Sequence, residues 1–241
     1  MTSPTNIMEK SNLLNRARTT LATLGRVHMP GFFSEENAAA LHAACLSTDW
    51  KLVLQGQGAV RELDAAAINA LDDLQKRQLV EQVHDSARQN FQFMYDCFRI
   101  SDAVESGALQ SGPFFELQQW LNSEAGLAQL RAITGEPAIG YVDSQATRYG
   151  PGHFLTTHDD DTPGKDRLFA YVINLTPEWR ADWGGLLQFM AADDHVAESY
   201  VPRWNALNVF RVPQRHAVSY VTPFAAGSRY SITGWMRRKP N

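Results

Sequence analysis

A histidine and an aspartate two positions apart are the residues of this sequence whose types and spacing most directly suggest chemistry. His158 and Asp160 end the segment YGPGHFLTTHDD, which begins at Tyr149. In an extended chain, residues two apart face the same side, so His158 and Asp160 converge while the neighbouring aspartates point away. An imidazole and a carboxylate suit a borderline divalent metal, but two ligands are too few to hold one tightly. The pair therefore predicts a third ligand from elsewhere in the chain.

His216 is the best candidate for that third ligand among the seven histidines. Three of the others, His28, His42 and His84, lie in the half of the chain that we predict to be mainly helical, His153 is five residues from His158, and His195 lies in an acidic, loop-like stretch. His216 begins a strand-like apolar run, far enough along the chain for a sandwich to fold back over His158. Two histidines and one carboxylate on one face form the facial triad of non-haem Fe(II) oxygenases, which leaves positions open for a bidentate cosubstrate and O₂. His158, Asp160 and His216 are therefore the predicted metal ligands.

A strand-like segment that bears a cation, RYSITGW, begins at Arg229, 13 residues after His216. If 2-oxoglutarate chelates the metal through its 2-oxo acid end, its far carboxylate is buried and needs a paired, hydrogen-bonded cation. Arginine supplies a planar fork that stays charged. Ser231 and Thr233 alternate with Arg229 on one face, so their hydroxyls could complete the hydrogen bonds of the carboxylate. Arg229 is therefore the predicted partner of the cosubstrate.

Each of these features has a plainer interpretation when it is taken alone. A lone His-x-Asp occurs by chance in many proteins, His216 could be an ordinary strand histidine, and the aspartates could form a solvated turn. Arg229 by itself is more simply a surface charge on an edge strand. The Fe(II) interpretation depends on all of them occurring together in this order.

The elements that must position these residues begin with a helix-rich half. Residues 35–46 and 62–95 are rich in Ala, Leu, Gln and Glu with apolar positions at helical spacing, so we predict helices there. Ser34 is a candidate N-cap for the first of them. Residues 113–134 predict one or two further helices that separate near Asn122–Ser123. The chain before residue 140 is therefore predicted to be mainly helical.

Beyond residue 140, short runs of aromatic and β-branched residues are separated by Gly or Pro. Several short strands at this spacing predict a sandwich or barrel rather than a parallel α/β sheet. The predicted strands lie within residues 141–149, 169–175, 186–190, 206–212, 216–221 and 230–236. The pair Gly184–Gly185 predicts a tight turn, to which we assign no chemistry. We therefore predict an α+β fold in which helices pack against a β-sandwich.

Composition excludes several classes of protein. The 241 residues are 44% hydrophobic and 20% charged, which excludes disordered, collagen-like and coiled-coil chains. A formal net charge of -4 argues against direct nucleic-acid binding. Cys45 and Cys97 allow at most one disulfide, which favours a reducing compartment. Charged residues such as Glu9 and Lys10, and the lack of an apolar run of 18 residues, predict neither a signal peptide nor a membrane span, so we expect a cytoplasmic protein.

The motifs together resemble those of the Fe(II)- and 2-oxoglutarate-dependent dioxygenases, in particular their prolyl-hydroxylase-like branch. Order and spacing agree over about residues 140–238, and the chain most resembles the ribosomal-protein prolyl hydroxylases, with a more distant similarity to the hypoxia-factor prolyl hydroxylases. The matching segments are Y-x₅-L-x-x-H-D-D at 149–160, R-x-x-A-Y-V-I-N-L-T-P-E-W at 167–179, G-G-L-L-Q-F at 184–189, H-x-V at 216–218 and R-Y-S-I-T-G-W at 229–235. The N-terminal half fits that branch more loosely.

The resemblance implies a double-stranded β-helix, or jelly roll, with N-terminal flanking helices. Residues 1–139 would form a mainly helical support region and residues 140–241 the jelly-roll core of one catalytic unit. The implied cofactors are Fe(II) on His158, Asp160 and His216, 2-oxoglutarate as cosubstrate and O₂, with ascorbate as a further candidate.

The resemblance also implies which residues bind the cosubstrate. Arg229 would bind the C5 carboxylate of 2-oxoglutarate, with Tyr149 and Thr233 as hydrogen-bonding neighbours. Asn174 departs from the pattern, because many prolyl hydroxylases carry a tyrosine at this position and use its hydroxyl on the cosubstrate. Asparagine is shorter and carries an amide, which leaves open whether Asn174 contacts 2-oxoglutarate, directly or through water.

The activity implied by the resemblance is hydroxylation of a C–H bond, coupled to conversion of 2-oxoglutarate into succinate and CO₂. No catalytic side chain is needed beyond the metal ligands. The implied substrate is a prolyl residue of a protein, with a translation component as a candidate carrier. The alternatives are a free amino acid or small metabolite as substrate, a catalytically inactive jelly-roll binding module, and a Zn- or Mn-dependent hydrolase or isomerase.

Overall fold

The computed structural model of the chain describes residues 4–56 and 59–239. The helices in this part are α1 (Pro4–Leu24), α2 (Glu35–Leu46), α3 (Ala65–Asn69), α4 (Asp73–Ala87), α5 (Ile100–Glu105), α6 (Pro113–Leu121) and α7 (Glu124–Thr134), with a 3₁₀ turn at Ala181–Trp183. The strands are β1 (Arg26–Pro30), β2 (Lys51–Gln55), β3 (Val60–Leu63), β4 (Phe93–Phe98), β5 (Ile139–Val142), β6 (Gln145–Tyr149), β7 (Phe154–His158), β8 (Arg167–Asn174), β9 (Leu187–Met190), β10 (Val196–Tyr200), β11 (Ala206–Arg211), β12 (His216–Val218) and β13 (Arg229–Arg238). None of the described helices is long and apolar enough to cross a membrane.

These strands form one antiparallel sheet that folds over on itself. Its path runs β1-β11-β8-β13-β6-β4-β7-β12-β9-β10, with β2 paired to β4 and β5 paired to β13 beside the path. Strand β4 pairs with both β6 and β7 and so joins the two halves of the sheet. Inward side chains of both halves, such as Arg229 of β13 and His216 of β12, line one cavity, so the halves lie face to face. The predicted jelly roll with flanking helices is confirmed.

The helices cover the outer face of the half that contains β8 and β13. Alternation along β8 directs Phe169, Tyr171 and Ile173 to the helices, and Ala170 and Val172 to the inside of the jelly roll. Apolar residues of α1, α2, α6 and α7 pack against the outward-facing side chains of β8. Each fully buried large apolar side chain stabilises the fold by roughly 1.5–3 kcal/mol. The helices therefore support the two strands that carry the predicted cosubstrate residues.

Several predicted boundaries are confirmed. Ser34 caps α2, because its side-chain oxygen accepts a hydrogen bond from the backbone N–H of Asn37 at 3.3 Å. The helices predicted within residues 113–134 are α6 and α7, and Ser123 caps α7 by accepting from the N–H of Gly126 at 3.1 Å. Each of the six segments predicted as strands beyond residue 140 overlaps a strand of the structure.

The prediction of one helix over residues 62–95 was wrong. This stretch holds the end of β3, the helices α3 and α4, and the start of β4. Asp64 and Asp72 begin separate helices, since their side chains accept hydrogen bonds from the N–H groups of Ala67 and Gln75 at 2.8 Å. The residues of β4 form a strand because pairing with β6 and β7 outweighs their local preference.

The N-terminal region also contributes more sheet than the sequence predicted. Strands β1–β4 all precede residue 139, yet β1 pairs with β11 and β4 lies in the middle of the sheet path. Strands β7 and β10 were not among the predicted strands either. Since β4 lines the inner cavity, residues on both sides of position 139 build the site.

Candidate active site

The three predicted metal ligands come together inside the jelly roll. His158 ends β7 and His216 begins β12, and the two residues are partners across the strand pair. Nε2 of His158 lies 3.5 Å from Oδ1 of Asp160, and Nε2 of His216 lies 3.5 Å from Oδ2 of the same carboxylate. One ligand atom from each residue falls within 4.8 Å of the other two. The three side chains could therefore bind one metal ion.

Backbone hydrogen bonds fix the tautomer of both histidines. Nδ1 of His158 donates to the carbonyl oxygen of Thr156 at 3.0 Å, and Nδ1 of His216 donates to that of Gln214 at 2.8 Å. A carbonyl oxygen only accepts, so the proton of each neutral ring lies on Nδ1 and the lone pair on Nε2. Both lone pairs are therefore on the nitrogens that face Asp160.

A turn after β7, rather than an extended chain, positions the carboxylate of Asp160. The residue has a φ of 65°, in the left-handed region that aspartate tolerates better than most residues. Its carbonyl oxygen accepts a hydrogen bond from Nη1 of Arg167 at 3.0 Å. The guanidinium of Arg167 in turn lies 3.6 Å from the ring centre of Trp235. Arg167 and Trp235 therefore hold the turn that carries the ligand.

The protonation states of two ligands suit a metal site. Burial alone would raise the pKa of Asp160, but a proton on Nε2 of His158 or His216 would stabilise the carboxylate by hydrogen bonding or charge, and this holds the pKa of Asp160 below its usual value. Burial, together with repulsion from His158, lowers the pKa of His216 to about 4. At neutral pH Asp160 is therefore ionised and His216 neutral, which are the forms that bind metals.

The ligands open onto a cavity of about 180 Å³ between the two halves of the sheet. Its wall is mostly apolar and aromatic, with contributions from β4, β6, β7, β8, β12 and β13. Apart from the three candidate ligands and Arg229, no described residue that lines the cavity carries a charge. The cavity therefore combines the candidate metal site with one buried cation.

Arg229 is the largest polar feature of the cavity wall, and its side chain is 1% exposed. One of its Nη atoms donates to the carbonyl oxygen of Gly185 at 2.7 Å, while Nε has no hydrogen-bond partner in the described chain. Burial lowers the pKa of Arg229 to about 10, and Tyr149 offsets part of that effect. Because a buried charge is costly unless it is paired, this guanidinium fits an anionic ligand that enters the cavity.

Tyr149 and Thr233 line the same cavity as Arg229. Arg229 lies 5.3 Å from the ring centre of Tyr149, which is its partner across the strand pair. Ser231 shares the strand face of Arg229, but its hydroxyl hydrogen-bonds that of Thr147 at 2.9 Å and does not line the cavity. The structure thus brings Tyr149 and Thr233, but not Ser231, to the wall of the cavity that Arg229 also lines.

Asn174 is the predicted site residue that the structure does not bring to the cavity. It is buried, and its side-chain amide donates to the carbonyl oxygen of Ala206 on the neighbouring strand at 3.2 Å. Asn174 shares the inner face of β8 with Ala170 and Val172, but its amide ties β8 to β11 and the residue does not line the cavity.

We expect Asn174→Ala to leave the KM for 2-oxoglutarate unchanged, while the loss of a buried hydrogen bond lowers the free energy of unfolding by about 1–2 kcal/mol. Initial rates of succinate formation and urea denaturation measure the two effects separately. Thr233→Ala, which alters the cavity wall itself, is the comparison variant. A larger change of KM in Asn174→Ala than in Thr233→Ala would contradict this placement.

The pair Gly184–Gly185, which was predicted only to form a tight turn, also contributes to the candidate site. Gly184 has φ 71° and ψ -148°, a conformation that is essentially restricted to glycine. A Cβ there would overlap the carbonyl oxygen of Tyr220. Gly185 supplies the carbonyl oxygen that accepts from Arg229. The turn therefore positions a hydrogen-bond partner of the buried cation, which the sequence did not reveal.

We expect Gly184→Ala to lower the free energy of unfolding by about 2 kcal/mol or more, because such backbone strain alone costs on the order of 1–3 kcal/mol and the added methyl group also overlaps Tyr220. Gly227→Ala is the matched control, since no heavy atom lies within 4 Å of a Cβ built at Gly227. This control should stay within about 0.5 kcal/mol of wild type. Equal urea midpoints for the two variants would show that the turn is not constrained.

Sequence reasoning missed the residues that β4 contributes to the cavity wall. Phe93 and Tyr95 line the cavity, and Tyr95 stacks on Tyr149 with ring centres 4.9 Å apart. Desolvation by burial raises the pKa of Tyr95, so it stays a neutral phenol. The alternation of FQFMYDCF, from Phe91 to Phe98, was the available signal, since it has the period of a half-buried strand.

Comparison with known proteins relates the chain to oxygenases. Residues 144–237 match the sequence profile of the 2OG-Fe(II) oxygenase superfamily. Two curated relatives are the prolyl 3-hydroxylase OGFOD1 of Xenopus laevis, 34% identical over 135 residues, and that of Mus musculus, 30% identical over 173 residues. The alignments cover 53% and 68% of this chain, but 24% and 30% of the relatives. The chain thus spans less than a third of the length of these relatives.

Solved structures share the fold across nearly the whole chain. A prolyl-4-hydroxylase of Pseudomonas putida matches with a TM-score of 0.59 and 20% identity, over 94% of this chain and 100% of its own. A prolyl hydroxylase of Trichoplax adhaerens, solved with a peptide fragment of the hypoxia inducible factor oxygen degradation domain, matches with a TM-score of 0.63 and 16% identity, over 99% and 94%. At these identities the similarity concerns the fold.

Proposed function

We propose that the chain is an Fe(II)- and 2-oxoglutarate-dependent dioxygenase that hydroxylates a prolyl residue of a protein, since residues 144–237 match the 2OG-Fe(II) oxygenase superfamily. The observation that carries the proposal is Arg229, a buried guanidinium with an unsatisfied Nε in the described chain, which lines the cavity that also contains His158, Asp160 and His216. A lone buried cation is costly, so a cavity of this kind favours binding of a carboxylate beside a metal ion.

The residues present fit both groups. Two imidazoles and one carboxylate form the donor set that non-haem Fe(II) oxygenases use, so His158, Asp160 and His216 would hold the metal. Arg229 would hold the C5 carboxylate of 2-oxoglutarate, since its planar fork suits a bidentate pair and its Nε is free to donate. Tyr149 packs beside Arg229, and Thr233 lines the same cavity.

The role of the chain in the reaction is binding, orientation and exclusion of water. When bound, Fe(II) with 2-oxoglutarate and O₂ supplies the oxidation of the substrate C–H bond, with 2-oxoglutarate converted to succinate and CO₂. Arg229 fixes one end of the cosubstrate, and the stacked rings of Tyr149 and Tyr95 keep water away from that ion pair, which strengthens it. No side chain has to act as a general acid or base, because positioning is the contribution of the protein.

The proposed substrate is a prolyl residue within a protein, oxidised at C3. Two relatives named prolyl 3-hydroxylase support this choice, and a translation component is the proposed carrier. The cavity wall also favours an uncharged substrate group. Within the described part of the chain its charged residues are Arg229 and the three candidate ligands, which the cosubstrate and the metal would occupy. A free amino acid would bring a charged ammonium group with no further carboxylate to pair with it.

We also propose a cytoplasmic location and ascorbate as a reductant. The location is supported by Cys45 and Cys97, which are buried free thiols whose pKa burial raises to about 12. Such thiols are weakly reactive and suit a reducing compartment. The role of ascorbate rests on the family resemblance. Fractionation of cells that express a tagged chain tests the first, and turnover with and without ascorbate tests the second.

The substrate proposal is tested by mass spectrometry of ribosomal proteins. Ribosomal proteins purified from cells that lack the enzyme are incubated with the chain, Fe(II), 2-oxoglutarate and ascorbate. We expect one added oxygen atom on specific prolyl residues, with the product matching a 3-hydroxyproline standard and absent with His216→Ala. Turnover of 2-oxoglutarate with oxygen added to other residue types, or to none of these proteins, would overturn the substrate assignment.

A further inference from the structure

An exposed aromatic residue stands at the edge of the cavity. Phe91 lies between α4 and β4, and it lines the cavity while remaining 45% exposed. The other aromatic residues of the described cavity wall are buried or half-buried. A large apolar side chain left exposed at the wall of a binding cavity is typical of a contact that a ligand completes.

The position of Phe91 places it on the metal side of the cavity rather than at Arg229. Its ring centre lies 5.4 Å from that of His158 and 5.7 Å from that of Phe93. From Phe93 the row of rings continues through Tyr95 to Tyr149, which packs on Arg229. Phe91 and Arg229 therefore stand at opposite ends of one aromatic wall, so Phe91 is close to the ligands but remote from the proposed cosubstrate carboxylate.

The surroundings of Phe91 define the kind of group that can be oxidised there. Around the ligands the wall also includes Leu155 and Trp235, and the described cavity has no charged group left to pair with a charged substrate side chain. A prolyl side chain is an uncharged ring without a hydrogen-bond donor. Its C–H groups can pack on the face of an aromatic ring, which adds to the gain from burying apolar area.

We propose that Phe91 is a specificity-determining residue whose ring packs against the pyrrolidine ring of the target proline. The proposal rests on the proposed function for the choice of target and adds the residue that recognises it. Phe91 acts by contact with the substrate, and neither metal binding nor cosubstrate binding depends on it.

Saturation-transfer NMR with N-acetyl-L-prolinamide tests this contact without turnover. The chain is loaded with Zn²⁺ in place of Fe(II) and with 2-oxoglutarate, and the probe is titrated. We expect saturation to reach the pyrrolidine protons in wild type, and the apparent Kd to rise about fivefold or more in Phe91→Ala, as the loss of one aromatic contact predicts. Phe91→Leu, which keeps apolar volume without a ring face, should give an intermediate Kd.

Phe224→Ala is the matched control, because Phe224 is 67% exposed and does not line the cavity. Its Kd for the probe and the KM for 2-oxoglutarate in all variants should equal those of wild type. Equal probe affinity in wild type and Phe91→Ala, or no transfer to the pyrrolidine protons in wild type, would overturn the inference. These outcomes differ from a failure of the proposed function. That failure would appear as a lack of Fe(II)-dependent succinate formation, whatever the NMR experiment shows.

Discussion

Arg229→Met raises the KM for 2-oxoglutarate by roughly 30-fold or more, because removing one partner of a buried charge pair costs about 2–5 kcal/mol. The guanidinium is buried, has an unsatisfied Nε in the described chain, and lines the cavity of the candidate ligands. Arg229→Lys keeps the charge but loses the planar fork, so its KM should lie between those of wild type and Arg229→Met. Succinate formation at varied 2-oxoglutarate concentration measures the effect.

The stability of the ligand-free protein separates a ligand-binding role of Arg229 from a structural one. Methionine replaces a buried, unpaired cation by an apolar chain of similar length, so the free energy of unfolding should stay equal or rise. The rise in melting temperature that 2-oxoglutarate gives wild type should be lost. Arg180→Met is the control, since Arg180 is exposed and pairs with Asp182 at 3.3 Å. A wild-type KM in Arg229→Met would place the cosubstrate elsewhere.

His216→Ala lowers the affinity for a divalent metal by at least about 100-fold, since loss of an outer-shell partner alone typically costs 10–100-fold. The two remaining ligands, His158 and Asp160, are too few to hold the ion tightly. Calorimetric titration with Mn²⁺ measures the affinity directly, and succinate formation should fall to the level without enzyme.

His195→Ala is the matched control for that measurement. His195 is exposed and pairs with Asp193 at 3.2 Å, away from the cavity. Its variant should bind metal and turn over as wild type does. Metal binding by His216→Ala at wild-type affinity would remove His216 from the ligand set, even if the turnover of the variant were impaired.

The sequence predicted the ligand cluster because its geometry is mostly local or set by strand pairing. The spacing of His158 and Asp160 placed both side chains on one side, although the structure achieves this through a turn with Asp160 in the left-handed region. His216 meets His158 because β12 pairs with β7, and the predicted sandwich already implied that the chain folds back over His158. Arg229 was predicted from the need of a buried carboxylate for a cation, and the structure buries it in the same cavity.

The parts that sequence reasoning missed depend on contacts between distant segments. Residues 62–90 are rich in helix formers, and although the alternation from Phe91 onward is typical of a strand, only the pairing of β4 with β6 and β7 brings Tyr95 to Tyr149. The direction of the Asn174 amide depends on the neighbouring carbonyl of Ala206 in β11. No local pattern in the sequence indicates either contact.

Fe(II)-dependent conversion of 2-oxoglutarate into succinate by the wild-type chain is the most direct test of the oxygenase assignment. We expect succinate to form only with both Fe(II) and O₂ present, and the rate to rise when a proline-containing protein substrate is added. Succinate formation that does not require Fe(II), or its absence from correctly folded, metal-loaded protein, would contradict the assignment.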